Sequence, residues 1–404
     1  MTAPLRIMHI STRLILGGSQ ENTVLSAEGQ AELGHTVSMV YGPIYGPEGS
    51  LLDRVRRHGG IETIRTPRLV RDLAPVKDAR CYRDLGRLIG EWKPDVVHTH
   101  SSKAGILGRL AAWAQRVPCV VHTIHGLAFH AYQTKLRNAV YIAAERFAAR
   151  RCHRIVCVAD AMREQALAAG IGTPDQYVTV YSGMQTAALL KPEVSRDAAR
   201  RELGFTDEHF VLATISRLAE LKGHDDLLDA LAPIMRTRKE LRLLWVGDGW
   251  WRDRLLQRVA ELGIGDRVVH TGLVEPGEIP RLLAATDALV HPSYREGLPR
   301  AVPQALLSGV PVVVYDVDGA KEVCTPDTGR LVEPGDLGAL REAVLWMMDH
   351  PQERVQMGER GRAACRERFD ASTMVDQLEA VYASVLERPA AGTGPGAGAE
   401  PGAD

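Results

Sequence analysis

Arg217 and Lys222 stand five residues apart in Ser216-Arg217-Leu218-Ala219-Glu220-Leu221-Lys222-Gly223, a segment that follows an apolar run and ends on glycine. A guanidinium offers a planar fork of donors and an ammonium a compact point charge. Together they suit the oxygens of a pyrophosphate, above all one that gains charge as it leaves. The same spacing also describes two solvated loop cations. Ile15-Leu16-Gly17-Gly18-Ser19 follows the first apolar run of the chain. Two glycines there admit an anion close to the backbone N–H groups that open a helix, although a plain tight turn would read identically and the pattern is neither a dinucleotide fingerprint nor a Walker loop. The densest polar stretch runs from Ser293 to Leu306 and holds Glu296-Gly297-Leu298-Pro299 and then Gln304. Pro299 suits the first turn of a helix. The amides of Gly297 and Leu298 would then face a phosphate or sugar oxygen, while Glu296 serves either a substrate or the helix dipole.

His98, His100, His122 and His125 close two further apolar runs. Strand alternation places Thr123 and His125 on one face and His122 and Ile124 on the other. A histidine at a strand end beside Gly126 can bond a sugar hydroxyl or buffer a proton, or it is a satisfied structural residue. Val246-Gly247-Asp248-Gly249 also ends a run, with Asp248 expected to cap a helix from Trp250. Asp316-Val317-Asp318 enters a glycine turn and reads as structural.

Elements that would carry these residues alternate along the chain. Strands are expected at 6–11, 36–42, 61–66, 95–101, 119–126, 154–159 and 177–183, and after a restart at 210–216, 242–248, 268–272, 288–293 and 311–317. Helical periods lie between them, among them 224–237, 249–262, 277–285 and 299–308, and three more fill 336–349, 351–368 and 371–387. Apolar strands separated by helices mean parallel sheets covered on both faces, here two doubly wound α/β domains joined by a linker at 184–193. Ligands of such sheets bind beyond the carboxyl ends of the strands, so the cleft between the domains is the expected site.

The 404 residues suffice for two or three cores. No run is long and apolar enough to span a membrane, the start lacks a secretory pattern, and six scattered cysteines form no C-x-x-C, which fits reduced thiols. Residues 1–185 carry 23 Lys and Arg against 15 Asp and Glu, while residues 186–404 carry 26 against 35. Opposite charges serve either two different surface partners or the docking of two halves. One basic helix stands out at 135–154, with Lys135, Arg137, Arg146, Arg150, Arg151 and Arg154 against Glu145. Its Val140, Ala143, Ala144 and Phe147 recur at helical steps, which fits either a core-packed helix or a surface for anionic lipid. The Ala-, Gly- and Pro-rich stretch 389–404 cannot bury a core and is expected to be disordered.

Taken in order and spacing, Gly17-Gly18, Pro94-Asp95-Val96-Val97-His98-Thr99-His100, His125-Gly126, Arg217 with Lys222-Gly223, Val246-Gly247-Asp248-Gly249 and Glu296-Gly297-Leu298-Pro299 give a chain that resembles the retaining nucleotide-sugar glycosyltransferases of the GT-B fold, family GT4. The likeness runs from Arg6 to about Leu386 and is greatest to bacterial enzymes of exopolysaccharide or capsule assembly. It implies two Rossmann-like domains facing across a cleft. Residues 1–185 would form the acceptor side and 186–388 the nucleotide-sugar side, with the last helix packing back on the first domain and 389–404 as a tail.

The implied reaction moves a sugar from a nucleoside diphosphate donor, a UDP-sugar first and a GDP-sugar as the alternative. The acceptor would be a hydroxyl of a glycan, a lipid-linked molecule or a small molecule. No metal, other cofactor or nucleic acid takes part, and the place is the cytoplasm or the inner face of its membrane. Catalytic roles fall to Glu296, His125, Lys222 and Arg217. Donor contacts fall to Gly17, Gly18, Arg217, Lys222, Val274, Glu296, Gly297, Leu298 and Gln304. Acceptor choice would lie in loops 41–50 and 127–134. The family pattern has a second glutamate where this chain has Gln304. The amide still accepts from and donates to ribose hydroxyls, but without charge assistance, a loss of roughly 1 kcal/mol. The alternatives are a GT-B nucleotide-sugar epimerase, a phosphorylase relative needing a pyridoxal-bearing lysine, and a non-catalytic sugar-nucleotide binder.

Overall fold

The computed structural model describes residues 3–46 and 48–387; the expected tail at 389–404 lies outside them. Among the described residues, thirteen strands form two wholly parallel sheets. The first takes β1 (Arg6–Ser11), β2 (Thr36–Tyr41), β3 (Ile61–Arg65), β4 (Val96–His100), β5 (Cys119–Ile124), β6 (Arg154–Cys157) and β7 (Tyr177–Thr179) in the order β3-β2-β1-β4-β5-β6-β7. The second takes β8 (Phe210–Ile215), β9 (Leu241–Val246), β10 (Val268–Gly272), β11 (Ala288–His291), β12 (Val312–Tyr315) and β13 (Gly329–Val332) in the order β10-β9-β8-β11-β12-β13. Helices on both faces explain why β4 and β5 are buried at every residue rather than alternately.

Expected and observed strands differ at the carboxyl ends. The run at 177–183 gives a strand only as far as Thr179, and that at 311–317 gives Val312–Tyr315. Apolar residues past these points pack as loops, so composition alone overruns the ladder. β13 was not expected: it has four residues, of which Arg330 and Leu331 leave the core, so no apolar run marks it. The linker segment holds a short helix, Thr186–Leu190, and Met184 pairs with Asp370 in an isolated parallel bridge.

The final helix, Ala371–Leu386, belongs to the core of the first sheet. Its Met374, Val375, Leu378, Val381 and Tyr382 pack with Ile7, Leu25 and Val96, and Gly29 lets the first helix, Gly18–Glu32, approach Val375 closely. The basic helix Lys135–Ala149 is different. Its buried residues are Glu145, Ala148 and Ala149, while Leu136, Val140 and Phe147 are 76%, 53% and 50% exposed. Ala143 is exposed as well, so this apolar stripe is not core. Among the described residues, no helix is long and apolar enough to cross a membrane.

Candidate active site

Each sheet reverses its strand order once, between β1 and β4 and between β8 and β11. Neighbouring strands whose connections leave to opposite sides open a crevice beyond their carboxyl ends. β1 and β4 end at Ser11 and His100, and β8 and β11 at Ile215 and His291. The loops that follow, with those after β5 and β10, border one cleft of about 880 Å³. Gly17, Gly18, His125, Arg217, Lys222, Val274, Glu296, Gly297, Leu298 and Gln304 all line it.

The most polar cluster lies where β8 and β11 end. Lys222 Nζ donates to Glu296 Oε1 at 2.5 Å, and His291 Nε2 lies 2.9 Å from the same oxygen. Burial disfavours the charge on Glu296, but Lys222 and His291 outweigh it and hold the carboxyl well below the usual carboxylate range. The backbone sets this geometry. Gly223, at φ +66°, packs so closely that a Cβ would stand 1.8 Å from the Pro292 carbonyl, which brings Lys222 beside the end of β11. Asp318 Oδ2 accepts from the Glu296 N–H at 2.8 Å, so the structural reading of that aspartate includes fixing Glu296.

Arg217 does not share a partner with Lys222. Its Nη1 reaches Glu48 Oε1 at 3.2 Å, while Arg13 Nη1 holds Glu48 Oε2 at 3.1 Å. Glu48 is 6% exposed and bridges the two halves of the molecule.

Across the cleft, Gly17 is the extended residue before the helix Gly18–Glu32, with no side-chain cap, so the first-turn N–H groups remain available to a ligand. Gly18 makes room for Arg300, whose Cδ would lie 2.5 Å from a Cβ there. Arg300 Nη1 donates to the Gly183 carbonyl at 2.9 Å, and Nη2 lies 3.2 Å from Glu21. Gly297 faces His125: a Cβ on it would stand 2.0 Å from the His125 carbonyl oxygen. The two glycine-bearing motifs therefore meet across the cleft, a contact that no side chain at 297 would permit. His125 itself bonds through Nε2 to His100 Nδ1 at 3.1 Å, and Thr123 bonds His98, on the face that alternation assigned them.

Two local readings change. The helix expected from Trp250 begins at Arg252, so Asp248 does not cap it; Asp248 Oδ1 instead accepts from the next N–H, Gly249, at 2.7 Å. The helix expected from Pro299 begins at Ala301, which moves Gln304 from the second turn into the first. Nothing local marks Glu48, Arg13 or His291, whose partners are distant or lie in an irregular loop. Arg300 was within the densest polar segment and only its cross-cleft reach was hidden.

Comparison with known proteins gives this cleft its context. The family described as glycosyl transferases group 1 matches residues 195–364, and the glycosyl transferase 4-like domain matches residues 17–183. The chain belongs to the GT4-type glycosyltransferases. This transferase is 28% identical over 324 residues to the UDP-Gal:alpha-D-GlcNAc-diphosphoundecaprenol alpha-1,3-galactosyltransferase of Escherichia coli, covering 79% of this chain and 83% of that one. It is also 28% identical to the 2-deoxystreptamine glucosyltransferase of Streptomyces kanamyceticus, over 74% of this chain and 80% of that one. Its fold matches that of Anabaena HepE in complex with UDP-glucose, with a TM-score of 0.80 at 21% identity, covering 94% of this chain and all of that one. The two facing sheets are thus a GT-B fold.

Proposed function

We propose that this transferase carries a sugar from a UDP-sugar, or less favourably a GDP-sugar, to a hydroxyl of a glycan or lipid-linked acceptor in cell-surface polysaccharide or glycoconjugate synthesis. The observation that carries the reading is the Lys222–Glu296–His291 cluster set opposite an uncapped helix N-terminus in one cleft. Lys222 and Arg217, with the amides near Gly17 and Gly18, would take the diphosphate, exchanging carboxylate partners for phosphate oxygens. Glu296 would then hold the sugar hydroxyls, and the backbone near Val274 would meet the base. The acceptor hydroxyl would attack on the face the diphosphate leaves, with a leaving oxygen as base and no metal. The family resemblance supports retention. Two of the three relatives above, the Escherichia coli galactosyltransferase and Anabaena HepE, are described with UDP-sugars, which supports that donor. A panel of UDP- and GDP-sugars scored by hydrolysis and thermal shift tests the reading, since a ligand of the folded state raises its apparent stability. A UDP-sugar that both stabilises and hydrolyses is the expected result; absence of both across the panel refutes it.

Gln304, the residue in place of the family's second glutamate, lies in the first turn of its helix and borders the cleft. If it reads the ribose, Gln304→Ala weakens the donor by roughly five- to tenfold, the worth of about one hydrogen bond, and Gln304→Glu preserves or tightens it. Calorimetry giving one affinity for all three forms would show that this helix does not touch the ribose.

Membrane attachment belongs to the same reading. The exposed Leu136, Val140 and Phe147 form an apolar stripe beside Lys135, Arg137, Arg146 and Arg150, the pattern of a helix lying in a lipid interface. Basic residues near an anionic leaflet contribute about 1 kcal/mol each, an attraction that salt screens. Co-sedimentation with anionic vesicles should be weak but measurable at low salt, without insertion, and fall at high salt. No binding at low salt, or binding indifferent to salt, discards the attachment.

A further inference from the structure

Beneath the cleft, β1 and β4 bring His9, His98 and His100 together as fully buried rings, with His125, just past the end of β5, at the cleft end of the group. Consecutive contacts join His125 Nε2 to His100 Nδ1 at 3.1 Å, His100 Nε2 to His9 Nδ1 at 2.9 Å, and His9 Nε2 to Gln30 Oε1 at 2.7 Å. A neutral imidazole has one N–H and one lone pair. A series of such rings therefore has a polarity, and fixing one end fixes every ring.

The far end is fixed by the Gln30 amide, which lies near a second histidine contact. The Leu5 N–H, which can only donate, bonds His35 Nδ1 at 3.0 Å. His35 must then carry its proton on Nε2, which donates to Glu379 Oε2 at 2.9 Å. Burial raises the Glu379 carboxyl, with His35 and Gln30 pulling the other way, while Gln30 Nε2 donates to the Tyr382 hydroxyl at 3.1 Å. With its NH₂ on that hydroxyl, Gln30 presents its oxygen to His9. His9 is thereby protonated on Nε2 and accepts at Nδ1 from His100 Nε2–H. His100 in turn accepts at Nδ1 from His125 Nε2–H. The nitrogen left over is His125 Nδ1, a lone pair on a residue that borders the cleft.

We infer that Gln30, His9 and His100 are positioning residues forming a tautomer lock, which presents His125 to the cleft as a neutral hydrogen-bond acceptor for a substrate hydroxyl. The inference rests on the donor-and-acceptor reading of the cleft given above. Burial keeps the rings uncharged: it lowers His9 to about 4, and with the charge of Arg300 it lowers His125 to about 3. A lone pair accepts from a hydroxyl and repels a phosphate oxygen. The lock therefore separates the two ends of a sugar diphosphate, hydroxyls toward His125 and phosphates toward Lys222. His98 does not turn the cluster into a metal site, because its Nδ1 and Nε2 are each 2.6 Å from a hydroxyl, of Tyr382 and Thr123.

Long-range ¹H–¹⁵N spectra of the ¹⁵N-histidine-labelled full chain at pH 7, without ligand, read the tautomers directly, with signals assigned by single histidine substitutions. His9, His100 and His125 should each be neutral with the proton on Nε2. Gln30→Leu removes the acceptor at the far end, so both polarities become populated. His125 should then give a mixed signal, and kcat/KM should fall about two- to tenfold as the competent fraction drops. A wild-type His125 protonated on Nδ1, or on both nitrogens, overturns the lock. So does a folded Gln30→Leu variant with an unchanged His125 signal, and so do His9, His98 and His100 signals that shift stoichiometrically with added Zn²⁺. Should Gln30→Leu fail to fold, the wild-type spectrum decides alone. Nε2–H on His125 in a protein that hydrolyses no nucleotide sugar would support the lock and refute the functional reading.

Discussion

A Lys222→Ala enzyme should turn over its donor on the order of 10²–10³ more slowly, the usual effect of losing one group that stabilises charge developing in the transition state. Donor affinity should change far less, because the charge on the diphosphate grows as it leaves and Lys222 meets most of that growth late. The unliganded arrangement sharpens the expectation. Lys222 is already paired with Glu296, so a diphosphate must compete with a carboxylate for it in the ground state, and only the more highly charged leaving group wins clearly. Single-turnover rates beside calorimetric donor affinities separate the two effects. Near wild-type turnover would remove Lys222 from the machinery; an equal loss in affinity and rate would make it a plain binding residue.

Replacing Glu296 by glutamine should cost about 10²-fold in kcat/KM, since the side chain keeps its shape but loses charge-assisted bonds worth roughly 1.5–3 kcal/mol each. The same variant makes a second, independent prediction through pH. Burial opposes ionisation of Glu296, yet Lys222 and His291 lower its folded pKa. A carboxyl whose folded pKa lies below its unfolded value, about 4.3, adds stability above that unfolded value. The stability declines as pH falls below it and is fully lost only below the folded pKa. The thermal-midpoint advantage of wild type over Glu296→Gln should therefore be level from pH 8 to about 5 and shrink in acid. An advantage that grows on acidification would show that Glu296 is not held as an ion by Lys222 and His291.

What could be read from the residues alone followed burial. β1 falls where its apolar run lies, because a central strand covered on both faces is largely apolar, while the half-buried edge strand β10 is marked only by its two valines. The cleft residues were legible for a related reason: glycines and charges that interrupt such runs fall at the carboxyl ends of the strands, where a doubly wound sheet opens. Residues whose meaning is a partner were not legible. Glu48 reads as one loop acid until the fold sets it between Arg13 and Arg217, the latter 169 positions away. His9 reads as a core position of β1, and nothing local indicates that it meets His100, 91 positions on. The basic helix at 135–149 divides the two cases. Its period was plain, but which side faced water depended on neighbours that no periodicity specifies.

The return of Ala371–Leu386 onto the first sheet has a consequence for synthesis. Ile7, Leu25 and Val96 leave the ribosome early, yet the helix that covers them emerges after the whole second sheet. A nascent chain halted between the two sheets would carry that apolar face uncovered, along with Gln30 lacking its Tyr382 partner. Folding of the first unit is thus completed only after the second has been made, and a cell expressing this protein must shield an unfinished first-sheet surface while the whole second sheet is synthesised.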